Sequence, residues 1–389
     1  MNDRLGQLRK SLSPALFAFL VTRALILMVF LFASGLRLDE PVQQFGDRIQ
    51  EPMISLRDSS LLQRLGNKVL NADALWYADI ARNGYERLPF EATREHNWAF
   101  FPLFPLILRL AARITGEYGL TGSILSNVFF LAALVQLHQL FLEFRYPPDE
   151  TQRAVFYLAV FPTSYFFSLP FTESLFLFLS VSCFLSAKKG AWWLAGLLGG
   201  LAASTRITGL CLFPALVVLY WQQYRTVKIN ALALLIIPAG IVPYMIFLHL
   251  VTGNALAFLD VQAAWGHAFG FFLKPMWEYV KTPLDINFRW DFRFLNFFAG
   301  VLGFVGAWVL FRRKQWALAI YTLLCVVIPL SAMRLQSLSR YTMIAFPLFI
   351  VLAGFGRSQR VDDTIRTVFA FTLGVMTLLF ALHFSMAMS

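Results

Sequence analysis

"LSPALFAFLVTRALILMVFLFASGL", residues 12–36, carries a single charge, Arg23, in an otherwise apolar run. A helix needs about 20 consecutive apolar residues to cross the hydrocarbon core of a bilayer. The run is longer than the apolar core of a secretory leader and has no clear cleavage pattern, so it is expected to remain as an anchor. Arg23, midway along it, is expected to snorkel or to pair inside a bundle.

Runs of the same kind recur downstream, at about 120–143, 153–169, 171–187, 191–205, 208–223, 229–251, 293–311, 316–333, 340–356 and 364–387. Composition agrees: of 389 residues, 58% are hydrophobic, only 14% are charged and 41 are Phe, more apolar surface than a soluble core can use. The expected fold class is an all-α polytopic membrane protein, a single integral-membrane domain over 1–389 with about eleven crossings. The net charge of +11 is explained by Lys and Arg gathering in cytoplasmic loops, and no nucleic-acid motif accompanies it, so no nucleic-acid partner is expected. Cys183, Cys211 and Cys325 each sit inside an apolar run and read as small hydrophobes.

One apolar stretch, 98–112, is ambiguous. It is short, and Pro102 and Pro105 break its first turns. Charge decides its status. Arg4, Arg9 and Lys10 place the N-terminus in the cytoplasm by the positive-inside bias. The basic loops at 187–190, 225–228, 312–314 and 356–360 also read as cytoplasmic, and they agree with the N-terminus only if 98–112 does not cross. That stretch is therefore expected to lie on the outer surface as an interfacial helix. Two large outer loops result, about 37–119 and 252–292, with the C-terminus outside.

This topology gathers the polar residues that packing explains least onto one face. "NADALWYADIARNGYE", residues 71–86, lies in the first outer loop. A helix starting near Asp73 puts Asp73, Tyr77 and Ile80 on one side. Asp73 reads either as a helix N-cap or as a carboxylate base whose basicity an apolar pocket would raise; Asp79 reads as a solvated helix residue. Glu95, His96 and Asn97 precede the interfacial helix, either as an ordinary polar entry or as hydrogen-bonding groups for sugar hydroxyls. Their spacing is not that of a metal site, and no metal or other cofactor is expected. Glu173, in "SLPFTESLF" (168–176), is either part of an N-terminal cap with Thr172 or a functional acid at a membrane face. Arg206, in "LAASTRITGL" (201–210), has no acid near it in sequence. Arg206, Arg334 and Arg340 stand on the outer face, against the positive-inside bias. They read as lipid headgroup contacts or as a clamp on an anionic lipid phosphate. His267 lies in the second outer loop and is a further candidate for substrate contact. No nucleotide-binding loop, zinc-protease helix or serine-hydrolase elbow occurs, and no internal repeat is evident.

At these residues the chain resembles the PIG-V-like mannosyltransferases, a family within the GT-C glycosyltransferases that has bacterial members. The resemblance rests on "ADALWYADIARNGYE" (72–86), close to that family's WDA-x-x-[FY]-x-x-IA-x-x-GY run. It continues in "EHNWAFFPLFP" (95–105), "FPTSYFFSLPFTESLF" (161–176), "ASTRITGL" (203–210), "NALAFLDVQAAWG" (254–266) and "SRYTMIAFPLF" (339–349). Ala72 departs from the Trp usual before the Asp, which alters a pocket wall and leaves the acid in place. The resemblance implies a GT-C-like bundle and transfer of a sugar, with mannose the expected one. It implies a polyprenyl-phosphate donor, a non-cytoplasmic site, inversion at the anomeric carbon and Asp73 as the base. Membrane lipids and an acceptor that the sequence does not identify complete the expected partners. The competing readings are a lipid-linked sugar flippase, which would need polar residues near the bilayer midplane, a GT-C enzyme using another sugar, and an assembly subunit.

Overall fold

The computed structural model describes residues 2–36, 60–283 and 293–383. The side chains of Arg4, Arg9 and Lys10, and the parts of the two expected outer loops at 37–59 and 284–292, lie outside the described residues. Among the described residues the fold is all-α. The helices are α1 (Asn2–Gly35), α2 (Leu61–Val69), α3 (Asp73–Asn83), α4 (Leu103–Thr115), α5 (Gly119–Glu143), α6 (Pro148–Val160), α7 (Glu173–Lys188), α8 (Trp192–Ala203) and α9 (Leu212–Tyr224). They continue as α10 (Ile236–Ala239), α11 (Val242–Thr252), α12 (Ala257–Asp260), α13 (Lys274–Lys281), α14 (Arg293–Arg312), α15 (Trp316–Leu330), α16 (Leu338–Ile344), α17 (Pro347–Phe355) and α18 (Gln359–Ala381).

Among the described residues, six stretches are long and apolar enough to cross a membrane: Ser11–Gly35, Gly119–Glu143, Ile207–Tyr224, Ile229–Thr252, Arg293–Arg312 and Gln359–Ala381. The pair α16 and α17, bent by 90°, makes a seventh if it is one span. The remaining expected crossings fall on shorter helices. Pro162 and Pro170 interrupt the chain between α6 and α7, where Ser164–Ser168 is a 3-10 turn, so 153–187 is not two full-length helices.

Apolar residues serve both faces of these helices. Along α1, Ala15, Ala18, Ile26, Phe30 and Ala33 recur at near-helical spacing and are buried, whereas Phe17, Leu20, Met28 and Phe32 point outward. The exterior is thus as greasy as the core, as lipid contact requires. The α1 helix packs against α5, α6 and α18; α5 packs on α7, α7 on α8, and α6 on α17. Small residues permit the closest approach. A Cβ on Gly196 of α8 would stand 2.1 Å from the carbonyl oxygen of Ala233, and one on Gly240 would stand 2.1 Å from that of Gly200. Such glycine contacts let helices meet backbone to backbone where no water-driven hydrophobic force joins them.

Arg23 is 8% exposed and pairs inside the bundle. Its guanidinium donates to the carbonyls of Ala159 (3.0 Å) and Ser164 (3.0 Å) and to the hydroxyls of Ser164 (2.6 Å) and Ser168 (3.1 Å), over the Phe130 ring. The carbonyls freed by the break after α6 are thereby satisfied.

The ambiguous stretch becomes a 3-10 turn at Asn97–Ala99 followed by α4, which starts after Pro102 and exposes Leu106, Leu110 and Ile114 along one side. That spacing is an amphipathic face, the form expected of an interfacial helix.

Candidate active site

Four of the sequence candidates meet where helices begin or break. Asp73 is the first residue of α3 and Glu173 the first of α7. Arg206 lies in the extended break between α8 and the 3-10 turn Ile207–Cys211, with φ −155° and ψ 148°. Arg340 sits on α16, the short helix held across α17 by the 90° bend. Broken helices put charged side chains where the backbone is already being satisfied by side chains.

Glu173 is the hub. It is fully buried, and its Oε1 accepts from Nη1 of Arg206 and from Nε of Arg340. Arg340 then reaches Asp73, donating from Nη1 to Oδ2 at 2.6 Å. Nη1 of Arg206 also donates to the Thr172 hydroxyl at 2.8 Å. Aromatic rings enclose the cations: Phe166 at 4.8 Å and Phe171 at 4.7 Å from Arg340, and Tyr341 at 5.0 Å from Arg206. Two carboxylates and two guanidiniums therefore form one chain, Asp73–Arg340–Glu173–Arg206. Asp73 is its accessible end, with a side chain 35% exposed against 6% for Arg340 and 10% for Arg206.

The approach to Asp73 is strained. Ala72 holds φ 52° and ψ −132°, a left-handed conformation that costs a non-glycine residue about 1–3 kcal/mol, and its N–H donates to Oδ1 of Asn71 at 2.8 Å. The cap of α3 is therefore Ala72, with no side-chain hydrogen bond, and the N-cap reading of Asp73 is off by one position. Thr172 likewise occupies the cap of α7 without a capping bond, because its hydroxyl serves Arg206.

Tyr77, one turn after Asp73, is buried, and its hydroxyl lies 3.4 Å from that of Thr172. Burial first, and then the Asp73 carboxylate, push its phenol well above the ordinary range, so it is neutral at working pH. Its ring meets Phe100 at 5.2 Å and Phe104 at 5.6 Å. Trp76 stacks on Phe100 at 5.5 Å and meets the half-buried Trp265 at 6.1 Å.

The other candidates take different places. His96 is buried, pairs through Nδ1 with Glu86 and stacks on Trp98 at 4.0 Å. Asn97 accepts from the Glu86 N–H at 3.1 Å and donates to the Gly84 carbonyl at 3.3 Å. Together they clasp the chain that leaves α3, a task that neither the polar-entry nor the sugar-contact reading assigned them. Glu95 is half-buried, and burial raises its carboxyl above the usual range. Asp79 accepts from Asn83 at 2.7 Å near the surface. Arg334 is exposed, hydrogen-bonds Gln336 at 3.2 Å and has its guanidinium against Gly266. It lines an open cavity of about 290 Å³ with Glu278 and Arg293 and takes no part in the Glu173 hub. His267 bonds Gln262 at 3.0 Å; burial, with Arg334 beside it, lowers its imidazole below the ordinary value. Among the described residues, no group of three or more His, Cys, Asp or Glu is placed to hold a metal ion.

Sequence reasoning gave Arg206 no acidic neighbour, whereas the fold supplies Glu173. It placed Asp73 in an apolar pocket, whereas Arg340 faces its carboxylate. Thr172, Tyr341 and the rings of Phe166 and Phe171 also belong to the site. Thr172 was legible only as a helix cap, and the three rings only as members of the same aromatic-rich motifs.

A bundle of apolar helices with a sealed charge chain ending in one reachable carboxylate defines an integral-membrane protein with a polar site at its helix breaks. The family is a particular one: residues 13–263, more than half the chain, match the family described as Mannosyltransferase (PIG-V), and the chain belongs to it. The matched region holds Asp73, Glu173 and Arg206 and stops before Arg340. Similar proteins include the GPI alpha-1,6-mannosyltransferase 2 of Rattus norvegicus, 30% identical over 169 residues, which are 40% of this chain and 33% of that protein. The Mus musculus protein of the same name is 32% identical over 148 residues, 36% of this chain and 29% of that one. The alignments thus span about a third of those relatives' lengths. Among solved structures, an oligosaccharyltransferase of Archaeoglobus fulgidus, tethered with an acceptor peptide, aligns with a TM-score of 0.45 and 11% identity. The alignment covers 94% of this chain and 55% of that one.

Proposed function

We propose that this protein transfers mannose from a polyprenyl-phosphate donor to an acceptor hydroxyl at the non-cytoplasmic face, with inversion of the anomeric carbon. One observation carries the reading: Asp73 is the solvent-reachable end of an otherwise sealed Asp73–Arg340–Glu173–Arg206 chain in a member of a mannosyltransferase family.

The division of labour follows from reach. Asp73 takes the proton of the acceptor hydroxyl as that oxygen attacks the anomeric carbon. The bond from that carbon to the phosphate oxygen breaks, and its electron pair leaves with the phosphate. A phosphate is a good leaving group, so no second carboxylate is needed as an acid. Retention would require a nucleophilic carboxylate close to the base. Glu173 is sealed and held by two guanidiniums, which supports a single displacement.

Arg340 and Arg206 are the cations for the leaving phosphate. Nη2 of Arg340, and Nε and Nη2 of Arg206, donate to no other described residue, so both guanidiniums keep free N–H groups. The amphipathic α4 is the natural rim at the membrane surface, with Leu106, Leu110 and Ile114 toward lipid. Trp265, half-buried edge-on against Trp76 and Phe100, offers a ring beside α3 on which a sugar can stack.

The test is turnover of purified protein with polyprenyl-phosphate-mannose and a panel of hydroxyl acceptors. Asp73→Asn is expected to lower turnover at least a thousandfold while the protein remains folded and retains donor. Turnover within tenfold of wild type would reject the base assignment. Release of mannose by wild type from no lipid-phosphate donor, with release from a nucleotide sugar, would reject the donor class.

A further inference from the structure

The site is electrically closed before any donor arrives. Asp73 and Glu173 supply two carboxylates, and Arg206 and Arg340 supply two guanidiniums. A lipid phosphate brings additional negative charge into this balanced set. Nη2 of Arg340 and Nε and Nη2 of Arg206 can receive it, but the added charge unbalances the set, and the two carboxylates are not equally able to loosen their hold on a cation. Glu173 is fully buried and bound to both arginines; losing them would strand a carboxylate without water. Asp73 is 35% exposed and holds Arg340 through one contact, Oδ2 to Nη1 at 2.6 Å. Water can take over the solvation of Asp73, and nothing in the buried set can do the same for Glu173.

We propose that Asp73 and the donor phosphate compete for the same guanidinium. With no donor bound, Arg340 holds Asp73. When the phosphate takes Nη1 of Arg340, the Asp73 carboxylate swings free and turns toward the acceptor hydroxyl. Glu173 is the positioning residue. It holds Arg340 by Nε, while Phe166 and Phe171 flank the guanidinium at 4.8 and 4.7 Å, so the cation stays when Asp73 departs. The base is thereby unmasked by the donor itself, and donor binds before acceptor. This rests on the reading of Asp73 and the donor given above.

The test is equilibrium binding of sugar-free polyprenyl phosphate to wild type, Asp73→Asn, Arg340→Gln and the double variant, each full-length in lipid nanodiscs. Competition predicts that Asp73→Asn tightens binding about tenfold, because Arg340 is no longer occupied. In the Arg340→Gln background the same change should shift binding less than about twofold. Unchanged or weaker binding by Asp73→Asn in the wild-type background overturns the proposal. An equal gain in both backgrounds also overturns it, since that would be general relief of negative charge. If Arg340→Gln does not fold because it strands the buried Glu173 carboxylate, Arg340→Gln/Glu173→Gln replaces it, and an undiminished gain from Asp73→Asn in that background again refutes competition. Turnover separates this inference from the one beneath it. An inactive Asp73→Asn that binds no tighter leaves the base role standing and ends the competition. An active variant that binds tighter does the reverse.

Discussion

Glu173→Gln tests whether the buried hub holds the site together. The substitution keeps the shape of the side chain and removes its charge. In the wild type, one oxygen of Glu173 serves two guanidiniums, in a side chain with no exposed surface. Breaking a buried ion pair from one side costs about 3–5 kcal/mol, because the remaining charge loses its partner without regaining water. Both arginines keep something here: Arg340 keeps Asp73 at 2.6 Å, and Arg206 keeps the Thr172 hydroxyl at 2.8 Å and the Tyr341 ring at 5.0 Å. The loss should therefore fall at the low end, about 3 kcal/mol. Unfolding entropy grows with chain length, so a chain of this size moves roughly 1 °C per kcal/mol, and the melting midpoint should fall by about 3–4 °C. The assay is thermal unfolding in detergent, followed by tryptophan fluorescence, beside turnover. Glu173→Gln/Arg206→Gln removes an orphaned cation as well, so its loss should be smaller than the sum of the two single losses. A Glu173→Gln protein melting within about 1 °C of wild type would show that the hub carries no such energy, and the argument from sealed charge would fail.

Three other outcomes are expected. Gly196→Ala should lower the melting midpoint and the yield in membranes, since its Cβ would lie 2.1 Å from the Ala233 oxygen and overpacking costs about 1–3 kcal/mol or more; Gly374→Ala, where nothing lies within 4 Å, is the matched control. Arg23→Ala removes four buried hydrogen bonds at the break after α6, although the Ala159 carbonyl keeps the Ser164 hydroxyl at 2.6 Å; at about 1–3 kcal/mol for a group left unsatisfied, it should destabilise the protein more than Arg366→Ala, whose side chain is 39% exposed; melting curves of the two variants decide it. Chelation with EDTA is expected to leave turnover unchanged because guanidiniums supply the cationic contacts, and a loss restored by a divalent ion would refute that part of the mechanism.

The sequence alone determined the solvent of this protein. Runs such as 12–36 and 120–143 are too long and too apolar for anything but a bilayer, whereas which face of α1 packs and which is exposed came only from the fold, because both faces are apolar. It also determined that Asp73 starts a helix with Tyr77 on the same side, since the spacing of one turn is local. Motif resemblance marked Glu173 and Arg206, but as isolated residues in separate segments. Only the tertiary structure decided that they are one object. Glu173 and Arg206 are 33 positions apart, and Arg340 and Asp73 are 267. Such pairing leaves no periodic trace in the chain, because it depends on where broken helices come to rest against one another. Tertiary structure also gave His96 and Asn97, read from sequence as a polar entry or as sugar contacts, partners of their own: Glu86 and Gly84, on a stretch that folds back beside them. Hydrophobic runs report the surroundings of each segment, while a buried charge reports the other segments that surround it, and that is known only once all of them are packed.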